Sequence, residues 1–304
     1  MRDQPEQPRR VPRLHVVLAF FAIYVVWGST FLAIRFAVES IPPLVAAGSR
    51  HLVAGAILLA WAWSRGEQPT RAAWRNGLIL GFLFFFISHG LLHWGELTVP
   101  SGMAALIIAI EPAIVALLLP LLRLGPAPRL PTYGGLILGA LSVIVLFRPE
   151  VTTDTAVLIG LLAVLGSAVA WAVGIVYARR LQTSEDSAMN AALPLISGSV
   201  MLFIGALVVG EFQRFDIDQV TQRSVVGLVY LIVFGSLVAF TAYSWLLKHF
   251  PPTLVATHAY VNPIVAVLLG WLLAGEEITV FIGLSTILAI SAIFLVNRGS
   301  TADG

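Results

Sequence analysis

The 304-residue chain contains no cysteine, which excludes disulfide bonds, thiolate nucleophiles and cysteine-based zinc sites. Charged residues are scarce as well, at 11% of the sequence, against about 25% in a typical soluble domain. The net charge of +2 gives no reason to expect a nucleic-acid partner. Because 58% of the residues are hydrophobic, a chain of this length could not cover its surface in water. Composition alone therefore predicts an integral membrane protein.

Several catalytic and energy-coupling motifs are also missing. The sequence has no Gly-x-x-x-x-Gly-Lys-Ser/Thr phosphate loop and no loop long enough to hold a nucleotide-binding domain. A Gly-x-Ser-x-Gly nucleophile elbow is absent, as are the regularly spaced arginines of a voltage sensor. We therefore expect no enzyme, no cofactor, no resident metal and no direct use of ATP.

What is present is a series of apolar stretches, each close to the roughly 20 residues that a spanning helix needs. Residues 1–14 are polar and predict a disordered cytoplasmic tail, residues 15–298 form one membrane domain, and residues 299–304 are a short C-terminal tail. The fold class is all-α, with ten transmembrane helices. The predicted spans are about 15–37, 44–63, 76–95, 101–122, 132–148, 156–178, 190–210, 224–247, 252–274 and 278–297.

The distribution of basic residues predicts the orientation in the bilayer. If the N-terminus is cytoplasmic, nearly all Lys and Arg residues outside the spans fall on the cytoplasmic side. The opposite side then carries only Arg148, Arg214 and Arg223. Basic residues are enriched on the cytoplasmic side of membrane proteins. We therefore expect a multi-pass membrane protein with both termini in the cytoplasm.

The two halves of the chain, about 15–148 and 156–298, align with one another. In the fourth and ninth spans, one ungapped frame sets Trp94 on Trp245, Pro100 on Pro251 and Pro112 on Pro263. The fifth and tenth spans also align, and in the first and sixth spans Trp27 is set on Trp171. Because five spans is an odd number, the second copy enters the membrane upside down. Inverted five-helix repeats are typical of secondary transporters, which bind substrate near the midplane.

The sequence resembles the drug/metabolite transporter superfamily, in its EamA-type ten-helix bacterial branch. The likeness is carried by Val26-Trp27-Gly28-Ser29-Thr30-Phe31, by Pro112, and by the run from Asn262-Pro263 through Trp271 to Gly275-Glu276. It covers nearly the whole chain after the tail. The resemblance implies an exporter of amino acids, other metabolites or toxic compounds, with a central cavity lined by the first, third, fourth, sixth, eighth and ninth spans. It implies no fixed set of ligand residues.

Glu111 is the most informative single residue, because it lies halfway along the fourth span. A carboxylate at the midplane costs about 2.5–3.5 kcal/mol on insertion scales and usually faces a cavity or a partner. Glu111 is therefore a candidate for proton coupling or cation binding, with interhelical hydrogen bonding as the alternative. Pro112 and Pro263 are predicted helix breaks at matching depth, since proline has no N–H to donate. Asn262 aligns with Glu111 and adds a neutral donor and acceptor.

His89 and His93 are four residues apart and share one face of the third span, which Glu96 continues. They are candidates for cavity lining or a proton relay. Their spacing also allows a metal site, so an intramembrane metal-dependent enzyme using His89, His93 and Glu96 is the main alternative to a carrier. A passive channel is another. Interhelical hydrogen bonding remains open for both histidines.

The remaining candidates are weaker. Arg50, next to His51 in the second span, is predicted to pair with Glu96 or Glu39, to bind a substrate carboxylate, or to snorkel to the interface. Aromatic residues and a histidine are candidate walls of the cavity, although ordinary packing explains most such residues in membrane helices; they are Tyr24, Trp27, Trp171, Tyr243 and His258.

Together with the resemblance, these features predict a secondary transporter of a bacterial inner membrane, with a small-molecule substrate and the lipid bilayer as its partners. Alternating access and proton coupling through Glu111 form the mechanistic hypothesis. The small-residue pairs Gly77-x-x-x-Gly81 and Gly135-x-x-x-Gly139 allow close helix packing and are weak evidence for a dimer. We expect a monomer or a weak homodimer.

Overall fold

A computed structural model describes residues 12–124, 129–147, 153–178, 180–181, 187–250, 255 and 257–300. The predicted N-terminal tail, apart from residues 12–14, and most of the C-terminal tail lie outside this part of the chain. The described residues form helices and connecting loops, with no strand among them. We number the long apolar helices in chain order. They are α1 (Arg13–Ala37), α2 (Pro43–Ser64), α3 (Arg71–Gly95), α4 (Ser101–Leu121), α5 (Leu130–Leu146), α6 (Thr155–Ala178), α7 (Ser187–Val208), α8 (Gln222–Tyr230, Leu231–Val238 and Ala239–His249), α9 (His258–Ala274) and α10 (Val280–Ser300).

Eight of these helices are long and apolar enough to cross a membrane, which makes the chain a multi-pass membrane protein. The other two, α5 and α9, are apolar helices of 17 residues each. They lie where the fifth and ninth spans are predicted. Residues 125–128 and 251–254, which lead toward them, are outside the described part.

Three of the helices contain a stretch of π-helix, in which the backbone hydrogen bonds run from residue i+5 to residue i. These stretches are Ala22–Val26 in α1, Gly81–His89 in α3 and Leu231–Val238 in α8. Wider π turns change the direction of side chains along a helix and are frequent at functional sites. The third helix of each half, α3 and α8, also has the same kind of N-terminal cap. The side chains of Thr70 and Thr221 each accept a hydrogen bond from the backbone N–H three residues later.

The fourth helix is interrupted, whereas the ninth is not. In α4 a first segment ends at Ile108, Ala109 and Ile110 form a turn, and a second segment begins at Glu111. Pro112 therefore lies in a first helical turn, where a missing N–H costs little. In α9 the helix runs through Pro263 without interruption. The predicted helix break at Pro263 is thus wrong: the helix continues through the proline and lacks only the N–H that this residue would have donated to the carbonyl of Ala259.

Helices at equivalent places in the two halves pack against one another in opposite directions. In the α2–α7 pair, Gly48 faces Phe203 and Gly55 faces Ile196, so the chain runs one way in α2 and the other way in α7. In the α5–α10 pair, Ser142 and Ser285 each donate a hydroxyl hydrogen bond to the other's backbone carbonyl. Two further helices make equivalent contacts with the other half of the chain: α3 contacts α6 and α7, and α8 contacts α1 and α2.

At the end of the bundle opposite the start of α1, which we call the far end, carboxylates cap two helices. Glu211 accepts hydrogen bonds from the backbone N–H groups of Leu44 and Val45 at the start of α2. Glu276 accepts from the N–H groups of Ser101 and Gly102 at the start of α4. Acidic groups stabilise helix N-termini because the unpaired N–H groups and the positive end of the helix dipole are both found there. The far end is therefore tied together by contacts between distant parts of the chain.

Three of the four glycines predicted to allow close packing do so within the chain, and the fourth, Gly139, has room for a methyl group. Gly77 lies against Leu193 and Gly81 against Ser197, both on α7, while Gly135 lies against Ala292 on α10. A methyl group at any of these three glycines would come within 2.8 Å of a neighbouring atom. These faces are occupied by helices of the same protein.

Candidate functional site

Arg50 lies inside the bundle, where α1, α2 and α8 meet. Its side chain is 5% exposed, and its Nε donates to the hydroxyl of Ser236 at 2.9 Å. Gly235 leaves room for the guanidinium: a methyl group there would lie 3.2 Å from Nη2 of Arg50 and 2.9 Å from Thr30. Arg50 has no ion pair with any described residue. Burial excludes snorkelling, and Glu39, one of its two predicted partners, pairs with Arg223 at 3.1 Å instead.

An aromatic group lies beside this arginine, where α1, α8 and α9 meet. The rings of Trp27 and Tyr243 are 5.1 Å apart, and the ring of His258 is 5.2 Å from Trp27 in an edge-to-face arrangement. Trp27 Nε1 donates to the carbonyl of Gly235 at 3.1 Å, which places the indole next to the glycine that accommodates Arg50. His258 Nδ1 is buried and has no hydrogen-bond partner among the described residues. The structure thus brings three of the predicted wall residues together.

The side chain of Asn262 forms hydrogen bonds to backbone carbonyls of α1 and α9. With its amide nitrogen turned toward the first helix, it donates to the carbonyls of Ile23 and Tyr24, at 3.0 Å each, and to that of His258. Tyr24 adds a 2.5 Å hydrogen bond between its hydroxyl and that of Thr257. Both carbonyls on α1 belong to its π segment, where backbone hydrogen bonding departs from the α-helical pattern. Asn262 and Tyr24 therefore join α1 to α9.

Glu111 has a different environment from Asn262, although the two align in the sequence. It is the first residue of the second segment of α4, it is partly exposed, and it forms no hydrogen bond or ion pair within the described part of the chain. Asn262, in contrast, is satisfied by three carbonyls. The two aligned residues therefore differ in whether the protein itself supplies a partner.

The histidines of the third span form a cluster with His51 of α2, which follows Arg50 in the chain. His89 Nδ1 lies 2.8 Å from His51 Nε2, and the ring of Trp171 is stacked parallel on His89 at 5.3 Å. His93 Nδ1 donates to the backbone carbonyl of His89 at 2.7 Å. We call His51, His89 and His93 the histidine cluster. His51 was not predicted to belong to the site; the signal that could have identified it is a second polar residue beside Arg50 in an apolar span.

The metal alternative gains no support from this arrangement. Among the described residues, no group of three or more His, Asp or Glu side chains is placed to hold a metal ion. The hydrogen bond of His93 to its own helix occupies one of its two ring nitrogens.

The chain as a whole can be matched to known proteins. Residues 14–148 and, separately, residues 158–298 match the family model described as the EamA-like transporter family. The chain belongs to this family. The resemblance seen in the sequence is thereby confirmed, and with it the prediction of a membrane transporter. Family membership points away from the intramembrane enzyme.

Alignments with individual relatives cover almost the whole of this EamA-like transporter. The uncharacterized inner membrane transporter YedA of Escherichia coli (strain K12) is 34% identical over 283 residues, which cover 92% of this chain and 90% of YedA. A protein of the same strain named "Probable amino-acid metabolite efflux pump" is 22% identical, covering 92% of this chain and 93% of its own. A solved crystal structure covers 93% of this chain and 97% of its own, with a TM-score of 0.64 and 18% identity. That likeness shows the fold alone.

Proposed function

We propose that this EamA-like transporter exports amino acids or related small metabolites across a bacterial inner membrane by alternating access. The relatives named inner membrane transporter and amino-acid metabolite efflux pump support the location and the substrate class. The distribution of Lys and Arg supports cytoplasmic termini, so the far end of the bundle faces away from the cytoplasm. In this conformation the carboxylate caps of Glu211 and Glu276 hold that end together, as an exporter requires while it loads from the cytoplasm.

Alternating access rests on an inverted repeat, for which there are two independent supports. One family model matches each half of the chain separately. The α2–α7 and α5–α10 pairs are antiparallel, as helices related by an axis in the membrane plane must be. Two halves with one architecture can exchange conformations, which opens the midplane to each side in turn.

The buried guanidinium of Arg50 carries the proposal for the substrate. A cation inside a bilayer costs about 2.5–3.5 kcal/mol on insertion scales, so it is normally paired. Arg50 has only the Ser236 hydroxyl as a side-chain partner among the described residues. A planar guanidinium with free N–H groups matches a carboxylate. We therefore assign it to the carboxylate of an amino acid or a related acid.

The other residues of the site suit the rest of such a substrate. Trp27, Tyr243 and His258 offer aromatic faces next to the Arg50 region, and aromatic faces accept apolar side chains and ammonium groups. Glu111 is unpaired beside the break in α4 and supplies an anionic partner for an ammonium group or a proton. Asn262 serves mainly to hold α9 on α1.

Counterflow into proteoliposomes tests this function. Vesicles containing the purified protein are preloaded with an unlabelled amino acid, and uptake of the labelled form is followed at equal pH on both sides. We expect transient, saturable accumulation, which a passive channel does not give. Arg50→Gln should abolish it, whereas Arg71→Gln, at an exposed position at the start of α3, should not. Accumulation that is the same for Arg50→Gln and the wild type would refute the carboxylate site.

A further inference from the structure

Glu96, at the end of α3, is the most unusual buried acid in the described part of the chain. Its side chain is fully buried, and neither carboxyl oxygen has a hydrogen-bond partner among the described residues. Its own backbone carbonyl accepts a hydrogen bond from Arg35, which also donates to Leu97 at 2.9 Å, so Arg35 caps α3 and leaves the carboxyl group alone. An ionised carboxylate without hydrogen bonds is strongly disfavoured in such a place, whereas the protonated acid is tolerated.

The charges around Glu96 do not change this balance. Arg35 comes from α1, Arg50 from α2, and Glu276 from the loop after α9. On α6 and α7, which also pack against α3, the far-end halves carry no titratable side chain. Asp154, directly before α6, accepts a hydrogen bond from the N–H of Ala156, and Glu211 beyond α7 is engaged at the start of α2. Burial, and secondly the carboxylate of Glu276, raise the pKa of Glu96 well above its usual value, against the opposing effect of the two arginines.

The histidine cluster continues from Glu96 toward the middle of the bundle. His93 and His89 lie three and seven residues before Glu96, on the same face of α3. Since His93 Nδ1 donates to a carbonyl, its Nε2 carries a lone pair in the neutral ring, and this buried atom has no partner in the described part of the chain. The His51–His89 hydrogen bond holds one proton between two nitrogens and leaves His51 Nδ1 unpartnered. A carboxyl group and a ring nitrogen that both lack hydrogen-bond partners thus share one helix face, and the charged group that acts on the histidines is Arg50 of α2.

We propose that Glu96 and the histidine cluster form a proton-binding site that loads and unloads during the transport cycle, which makes the proposed transport pH-dependent. The two groups are not hydrogen-bonded to each other in this conformation, so a movement during the transport cycle must first bring them into contact. In the transfer step the O–H bond of Glu96 then breaks and an N–H bond forms on His93 Nε2, so a neutral acid and a neutral ring become a carboxylate and an imidazolium without a change in net buried charge. The far-end position of Glu96 suits exchange with the side opposite the cytoplasm. This proton site is separate from Glu111 and rests on the carrier function only for its coupling to a substrate.

Infrared spectroscopy tests the proton without any substrate. The spectrum of the wild-type protein minus that of Glu96→Gln should contain a protonated-carboxyl band at neutral pH. Glu67→Gln, which alters an exposed loop carboxylate, should show no such loss. Absence of the band would overturn the proposal regardless of the carrier function.

Transport measurements test the coupling. In proteoliposomes with a pH gradient and no substrate gradient, the wild type and Glu67→Gln should give a net substrate flux. The gradient should no longer drive flux in Glu96→Gln or in His93→Gln, which keeps an N–H donor for the carbonyl of His89. The proton site would be contradicted if the pH gradient still drove net flux in both variants. It would also be contradicted if the wild type showed counterflow but its flux did not respond to the pH gradient. Absence of counterflow for every amino acid would contradict the proposed function instead, and the infrared band would then still decide whether the proton is present.

Discussion

The interface of α1 with α9 and that of α6 with α4 occupy equivalent places in the two halves, yet they are built differently. At the first interface, Gly28 lets the helices approach until a methyl group would lie 2.7 Å from Val265, and Tyr24 and Asn262 add hydrogen bonds. The aligned residues at the second interface are Ala172, Ala168 and Glu111. None of these provides a close glycine contact or a hydrogen bond in the described structure.

The comparison indicates that the two interfaces have different roles, although both halves of the chain match the same family model. The α1–α9 interface is fixed by side chains that reach backbone carbonyls, so those helices can move as one body. The α4–α6 interface contains the interrupted helix and the unpaired Glu111. Polar groups that are not satisfied internally are the ones available to a substrate. In the proposed mechanism, the shared architecture of the two halves would serve movement, and the difference between their side chains would serve binding.

Replacing Gly28 by valine should have the largest effect on stability. Its new side chain would meet Val265 Cβ at 2.7 Å and the backbone carbonyl of Asn262 at 3.1 Å, and neither atom can move independently of α9. Overpacking of this kind costs about 2–3 kcal/mol. The free energy of unfolding in detergent should fall by that amount. The matched control is Gly283→Val, where no atom lies within 4 Å of the added Cβ; an equal loss in both variants would show that the α1–α9 contact is not unusually tight.

Asn262→Ala should destabilise the protein next most. It leaves the carbonyls of Ile23 and Tyr24 without the amide donor that holds them, and a buried polar group without its partner costs about 1–3 kcal/mol. Thermal unfolding in detergent measures the loss. Asn262→Gln keeps the amide chemistry but displaces it by one methylene, so it should fall between the wild type and the alanine variant. If Asn262→Ala were as stable as the wild type, Asn262 would be free to bind substrate and would not be held by α1.

Tyr24→Phe should have a smaller effect. The substitution keeps the ring and removes only the hydroxyl that bonds to Thr257, and a single neutral hydrogen bond contributes about 1 kcal/mol. Combining it with Asn262→Ala sharpens the comparison, because two groups in one contact region should not be additive. Simple addition of the two losses would indicate that they stabilise separate parts of the α1–α9 interface.

Much of this architecture can be predicted from the sequence. Long apolar stretches give the helices, since burial of the backbone in lipid demands internal hydrogen bonding, and proline and glycine mark most of the loops. The partners of the intramembrane polar residues could not be predicted. Asn262 and Glu111 align, yet only the packing of α9 against the π segment of α1 satisfies the former. The contact between His51 and His89 could not be predicted either. A contact between α2 and α3 depends on how each helix is rotated about its own axis, and a uniformly apolar sequence does not reveal that rotation.

The smallest effect on stability, and the sharpest test of the comparison, is expected for Glu111→Gln. Since Glu111 has no partner in the described structure, its replacement by a neutral isostere should change the free energy of unfolding by less than about 0.5 kcal/mol. Counterflow of an amino acid should nevertheless slow markedly, because the substituted side chain can neither attract an ammonium group by charge nor release a proton. A variant that keeps both the wild-type rate and its pH dependence would remove Glu111 from the site. Loss of stability comparable to that of Asn262→Ala would instead show that the α4–α6 interface is held by a polar contact of its own, and the contrast between the two interfaces would disappear.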